Sequence, residues 1–394
     1  MMRLFDKTNV VSFLLLAPLI AFFCLMLVWP LAVVMKTAVY EPSIADVFVN
    51  TAEAMEDWDR ASPPSTMMLA AVARDLREAQ DDQLVGAATR RLNSLQPGFR
   101  TLISRTRNTL RRERDEVDLI GVDPRWVEPA YWRAIASGLG RYTDRNFLAA
   151  VDLERAENGF VVNKPEATSA NRIYFLRTFV VSGVVTLACL VLGLPYALLA
   201  ASTTGNWRQI LLAAVLLPLW TSLLVRTTAW FILLQDQGVI NGLLMSLGIA
   251  DSPLPLIFNR LGVIVAMTHV LLPFMVLPIF SVLISIPKNL MPAAYSLGAS
   301  PLRAFFSVIL PLSFRGIASG SILVFMSAIG YYITPALIGG PGDQLISTIV
   351  AFYALETSDW GMASAIGIVL LVVTVILYLI YIRVSDTGTE ARSS

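Results

Sequence analysis

Six blocks of the chain are almost uninterrupted in apolar character, at residues 10–34, 175–201, 210–234, 261–286, 317–338 and 362–382. Each is near or above the roughly 20 residues a helix needs to cross a hydrocarbon layer. Several carry proline, among them Pro195, Pro218, Pro273, Pro278 and Pro335. Within a membrane, proline frees carbonyls that neighbouring helices or water must satisfy, so such positions mark bundle interfaces or pathways. The first block follows Arg3 and Lys7, as the core of a signal peptide does. A secretory core spans only about 7–15 residues, so a retained first span is expected. The pattern predicts an all-α, polytopic membrane protein of six transmembrane helices.

Between the first two blocks the pattern changes. Residues 41–172 hold 18 of the 30 Lys and Arg residues and 21 of the 29 Asp and Glu. This is a water-soluble insert of domain size, and its strand signals are few. Stretches 66–83 and 98–117 have helical periodicity, with Met68, Leu69, Val72 and Leu76 on one face. The mixed-sign run 105–118 reads as a solvated helix face. The expected organisation is therefore an N-terminus and first span over 1–40, a mostly helical insert over 41–172, a five-span core over 173–384 and a tail over 385–394.

Basic residues in the short connections set the orientation. Arg3 and Lys7, Arg208, then Lys288, Arg303 and Arg315, and finally Arg383 and Arg392 fall on one side, while stretches 235–259 and 339–361 contain none. Arg260 is a single dissenting charge. Both termini are accordingly expected in the cytoplasm and the insert outside, whose own charges do not count because long domains translocate regardless.

One connection stands out. In 289–315, Pro292 suits the first turn of a short helix running to Leu297, Gly298 suits a left-handed C-terminal cap, and Ser300 with Pro301 suits a new helix start. The second helix is expected to stop near Pro311, with Leu302, Phe305, Phe306 and Ile309 forming one apolar stripe. Lys288, Arg303 and Arg315 form a basic collar.

Composition narrows the chemistry. The chain is 56% hydrophobic and 15% charged, with a net charge of +1 and a mean hydropathy of +0.65. A balance so close to neutral gives no field for nucleic acid. Cys24 and Cys189 lie within apolar blocks and read as packing residues. His269 is the single histidine, and neither a P-loop, H-E-x-x-H, paired C-x-x-C nor G-x-S-x-G is present. Energy for any transport has to come from another polypeptide.

The run Pro292, Ala293, Ala294, Gly298, Val308, Leu310, Pro311 resembles the EAA loop of binding-protein-dependent ABC importer permeases. That pattern reads E-A-A, three residues, Gly, nine residues, I-x-L-P. Pro292 replaces the usual acid, which puts in doubt an ion pair with the ATPase, and Val308 is a mild change. Segments 226–244, 252–256, 333–346 and 359–367 resemble spermidine/putrescine-type permeases. In the insert, 123–135 and 142–153 resemble the enlarged first periplasmic loop of a longer subgroup.

The resemblance implies the ABC importer permease (MetI-like) fold in a bacterial inner membrane. It further implies a second permease subunit, identical or not, an ABC ATPase dimer and a periplasmic substrate-binding protein as partners. Coupling to the ATPase falls on Pro292, Ala293, Ala294, Gly298, Ser300, Pro301, Phe305, Leu310 and Pro311. ATP and magnesium go to that ATPase, so this chain is expected to bind no cofactor or metal and to catalyse no reaction. A polyamine path calls for carboxylates and aromatic faces. The candidates are Asp236, Glu356, Asp359 and Trp360 near the outer ends, with Trp230, Tyr331 and Tyr332 deeper. Arg226 reads as snorkelling to headgroups or as a gate residue, and the run LIGGPG reads equally as a re-entrant or a tight turn. Two other functions remain open: the same machinery carrying another small organic solute, and a membrane-anchored ligand sensor, for which the tail is too short to hold an output domain.

Overall fold

The computed structural model describes residues 7–113, 117–156, 160–165 and 169–390. Arg3 and Arg392 of the charge pattern, and tail residues 391–394, lie outside the described residues. The chain forms two compact units, Met1–Leu148 and Ala149–Ser394.

The first unit begins with a continuous helical span. α1 (Lys7–Phe23) passes through a π turn (Cys24–Val28) into α2 (Trp29–Val39). Its described side chains up to Met35 are almost all exposed. A small helical domain follows: α3 (Ser43–Val47), α4 (Val49–Ala54), α5 (Thr66–Glu78), α6 (Asp82–Leu95), α7 (Phe99–Arg112), α8 (Leu119–Val122), α9 (Pro129–Gly138) and α10 (Arg145–Ala150). The periodic face of α5 is where expected, with Met68, Val72 and Leu76 buried. The helix does not continue to residue 83. Asp81 accepts the backbone N–H groups of Gln83 and Leu84 at 2.8 and 3.3 Å and so starts α6 as a separate helix.

The insert core is aromatic. Trp126 and Trp132 are fully buried with ring centroids 5.7 Å apart. Each indole finds an acceptor, Trp126 on Thr106 Oγ1 at 2.9 Å and Trp132 on the Trp126 carbonyl at 2.8 Å. The buried Asp75 carboxylate accepts four hydrogen bonds from the backbone and side chains of Asn50 and Thr51, at 2.5–3.0 Å, and thereby fastens α4 to α5. Arg125 donates to Asp123 at 2.7 and 2.9 Å and holds that carboxyl down at about 2.

In the second unit, the antiparallel ribbon β1 (Leu153–Arg155) and β2 (Val161–Asn163) holds the only strands among the described residues. Residues 149–172, read from sequence as part of the insert, cluster here. Asp152 explains this locally, since its carboxylate accepts the N–H groups of Asn171 and Arg172 at 3.2 and 2.7 Å at the start of α11 (Asn171–Ser202). The remaining helices are α12 (Asn206–Leu216), α13 (Leu223–Leu233), α14 (Val239–Ser246), α15 (Arg260–Ser285), α16 (Leu290–Ser296), α17 (Pro301–Ala304), α18 (Leu310–Ile329), α19 (Ile333–Ile338), α20 (Ile346–Ala351) and α21 (Trp360–Glu390).

α15 is the axis of this unit, and both α11 and α18 pack along it. Small residues permit the close approach. A Cβ on Gly316 would lie 2.8 Å from the Pro278 carbonyl oxygen, and one on Gly320 would lie 3.0 Å from that of Met275. Among the described residues five helices are long and apolar enough to span, and α12 with α13 supplies a sixth only as a broken pair bent by 99°. The expected span 210–234 is present as this bent pair, not as one continuous helix. A 3-10 turn at Leu217–Trp220 carrying Pro218 ends α12, and the Ser222 hydroxyl caps α13 by accepting the Val225 N–H. The expected span 317–338 is corrected too: α18 ends at Ile329, and α19 is a separate short helix. The LIGGPG run leads from α19 into a 3-10 turn at Pro341–Asp343, where Asp343 pairs with Arg260 at 3.1 Å.

Candidate functional site

The connection 289–315 folds as a helical hairpin. α16 ends in a Schellman cap: Gly298 takes φ +84°, its N–H donates to Tyr295 O at 2.9 Å, and the Ala299 N–H donates to Ala294 O at 3.0 Å. No atom outside the local chain lies within 4 Å of a Cβ built at Gly298, so the constraint there is the backbone angle alone. Ser300 opens the next helix by accepting the Arg303 N–H on its hydroxyl at 3.4 Å, with Pro301 in the first turn.

The expected stop at Pro311 does not occur. Pro301–Ile329 runs as one helix of 29 residues, about 43 Å long at 1.5 Å per residue. A π turn at Phe305–Ile309 lies immediately before Pro311, and the Leu310 N–H reaches back to Phe305 O. Widening that turn accommodates a residue with no N–H to give the carbonyl four positions earlier. The hairpin tip and a membrane span are therefore one rod.

The tip is apolar and uncovered. Leu297, Leu302 and Phe306 are 88%, 73% and 60% exposed, while Phe305 packs against Phe306 with ring centroids 5.2 Å apart. Pro292, Ala293, Ser300 and Pro301 are exposed with them, Ala294 is half-buried, and Ala304 is buried against the stem. Leu310 and Pro311 lie half-buried further along the rod. Lys288, Arg303 and Arg315 are all exposed around it.

Within the bundle the structure builds a second feature. The Trp230 indole donates to His269 Nδ1 at 3.1 Å, with rings 5.4 Å apart. The Arg226 guanidinium lies close enough to act electrostatically on both His269 and Tyr331. Arg226 Nε is buried and has no hydrogen-bond partner among the described residues. Thr227 and Thr334 meet beside it with hydroxyls 3.2 Å apart. Pro273 has no N–H to offer the carbonyl of His269 four residues back, which leaves a further acceptor at this level.

Of the seven sequence-derived pathway residues, Trp230 and Tyr331 join this cluster. The others stand apart. Asp236 is exposed in the turn before α14, Tyr332 is exposed, Glu356 is exposed at the end of a π turn, and Trp360 is exposed at the start of α21. Asp359 caps α21 by accepting the Met362 N–H at 2.9 Å. The Arg226–His269 neighbourhood was missed, although a lone histidine and an arginine in separate apolar blocks carried the signal.

A bundle of apolar helices of spanning length, broken at one span, with one span extended into an uncovered hairpin, defines a polytopic helical membrane protein. Residues 190–386 match the family described as "Binding-protein-dependent transport system inner membrane component". The chain is 37% identical over 202 residues to the spermidine/putrescine transport system permease protein PotB of Escherichia coli strain K12, covering 51% of this chain and 74% of that protein. The PotB of Haemophilus influenzae is 34% identical over 51% of this chain and 71% of its own length. The inner membrane ABC transporter permease protein YdcU of Escherichia coli is 34% identical over 54% and 72%. A bacterial alginate ABC transporter, solved with an alginate pentasaccharide-bound periplasmic protein, superposes with a TM-score of 0.48 at 19% identity, covering 56% of this chain and 80% of that one. The chain belongs to the binding-protein-dependent inner membrane component family and is the permease subunit of an ABC importer.

Proposed function

We propose that this permease carries polyamines, coupling closure of a separate ATPase dimer to alternating access of its spans. The supporting observation is the hairpin: an apolar tip on a Schellman turn, continuous with a 29-residue span, is a stiff lever. The relatives' spermidine and putrescine names supply the substrate class. The basic collar supports a cytoplasmic hairpin and cytoplasmic termini, with the insert outside. Leu297, Leu302 and Phe306 then seat in a groove on the ATPase, with Pro292, Ala293, Ala294, Gly298, Ser300 and Pro301 shaping the tip. Phe305, Leu310 and Pro311 form the stem that passes the motion to the bundle, as rigid-body gating requires. ATP and magnesium sit on the ATPase, a second permease subunit completes the pore, and a periplasmic binding protein delivers the solute.

In this reading Asp236, Glu356 and Asp359 draw a polycation to the outer mouth, with Tyr332 and Trp360 beside them. Trp230 and Tyr331 offer aromatic faces deeper in. Arg226 repels the same cation, so the passage holds it weakly enough to release it. The test is uptake of labelled spermidine and putrescine by proteoliposomes holding the full assembly. ATP-dependent uptake that is lost with Leu302→Asp and Phe306→Asp combined supports the proposal. Uptake unaffected by that pair overturns the lever, and uptake of neither polyamine overturns the substrate class.

A further inference from the structure

The insert contains a cavity of about 390 Å³ between α6 and α7. Four arginines line it, Arg90 from α6 and Arg100, Arg107 and Arg111 from α7, with Asp82 as the only carboxylate. Their spacing puts them there: 82, 86 and 90 share one face of α6, and 100, 104, 107 and 111 share one face of α7. Asp82 is engaged by two of them, Arg107 at 2.8 Å and Arg111 at 2.9 Å. Neither Arg90 nor Arg100 pairs with a carboxylate among the described residues.

Like charges gathered on facing helices repel one another, and Asp82 answers only two of the four. Two details mark the groove as able to take an acceptor. Arg107 is mostly buried, its terminal nitrogens are taken by Asp82 and by the Ala79 carbonyl at 2.9 Å, and its Nε is left buried without a partner. Gly86, mid-helix on the cavity face, keeps the floor open: a Cβ there would meet only Arg90 Nη1, at 3.5 Å. Glycine weakens a helix interior, so its place at this spot costs α6 stability in exchange for room.

We propose that this groove binds a small anion carrying two or more carboxylate or phosphate groups. The volume is that of a ligand site rather than of a single ion. The guanidinium fork matches carboxylate and phosphate oxygens in pairs, and several forks around one cavity select a polyanion over a monoanion. A polycation is refused. The site is therefore separate from any polyamine path and does not depend on the transport reading. The same chemistry arises from a free solute or from an anionic lipid headgroup.

The test is calorimetric titration of the full chain in phosphatidylcholine nanodiscs at low salt, with citrate and with inorganic pyrophosphate. Acetate and spermidine serve as controls. Saturable binding of either polyanion, and of neither control, is expected. Arg90→Gln with Arg100→Gln removes two exposed, unpaired charges outside the insert core and should weaken binding by about tenfold or more. Gly86→Leu fills the floor while keeping all four arginines and should also weaken it. Thermal melting of each variant shows that the insert still folds. Competition from phosphatidylglycerol added to the nanodiscs assigns the site to a headgroup, and its absence assigns it to a free solute. No saturable binding of either polyanion, or undiminished binding in either variant, overturns the proposal.

Discussion

The two units dispose of their apolar residues in opposite ways. In the insert, Trp126, Trp132, Phe99 and Leu102 are fully buried, and both indole N–H groups find acceptors. In the permease unit only α15 is well wrapped: just over half of its most apolar window is buried, against about a tenth for α21. Leu192, Leu199 and Leu379 each leave more than half of their surface uncovered. Water drives the first arrangement. Lipid is as apolar as leucine, so the second holds together by close packing of small residues instead.

That contrast can be broken by mutation. Trp132→Ala should destabilise the insert by about 3–5 kcal/mol, because it opens a cavity in a tight core and removes a bonded indole. Leu379→Ala, at a lipid-facing position, should change thermal stability by less than about 0.5 kcal/mol. Equal losses on melting in detergent would erase the distinction. Asp75→Ala strands the donors of Asn50 and Thr51 and should cost about 2–3 kcal/mol, read as lost hydrogen-exchange protection in α4 and α5. Gly316→Leu forces a side chain against the backbone at Pro278 and Ile279 and should cost about 1–3 kcal/mol, confined to the permease unit. A loss of insert stability in that variant would contradict the division.

The insert should also show a pH dependence. Asp123 is held at about 2 by Arg125, below the value of about 3.9 for an unpaired aspartate. A lowered folded-state value contributes stability that is present above the unfolded one. It is lost as pH falls from about 4 towards 2. Arg125→Gln should flatten that segment of the stability profile.

Much of this was legible in the sequence because each signal was local. Span existence follows from the length of the apolar blocks, and the hairpin turn follows from glycine and the serine–proline pair. What escaped depended on context. The break at residues 217–222 lies inside one apolar block, where hydropathy is blind to a bend. The passage of the helix through Pro311 needed the π turn at Phe305–Ile309, which the proline alone does not announce. Residues 79–81 looked like helix until Asp81 was seen to cap α6. The Arg226–Trp230–His269–Tyr331 neighbourhood joins α13, α15 and the stretch after α18, and no periodicity within one helix brings those together. The arginine groove has the same origin, since each helix face alone reads as a solvated stripe.

The hairpin is the claim on which the transport account rests, and Gly298 tests it most directly. Its φ of +84° lies in the region that β-branched residues avoid and asparagine tolerates. No neighbour obstructs a side chain there. Co-purification of the candidate ATPase with detergent-solubilised wild type, Gly298→Asn and Gly298→Val separates turn geometry from side-chain bulk. The account predicts that wild type and Gly298→Asn retain the ATPase, while Gly298→Val loses most of it yet still inserts and folds. Retention by all three, or by none, would contradict it.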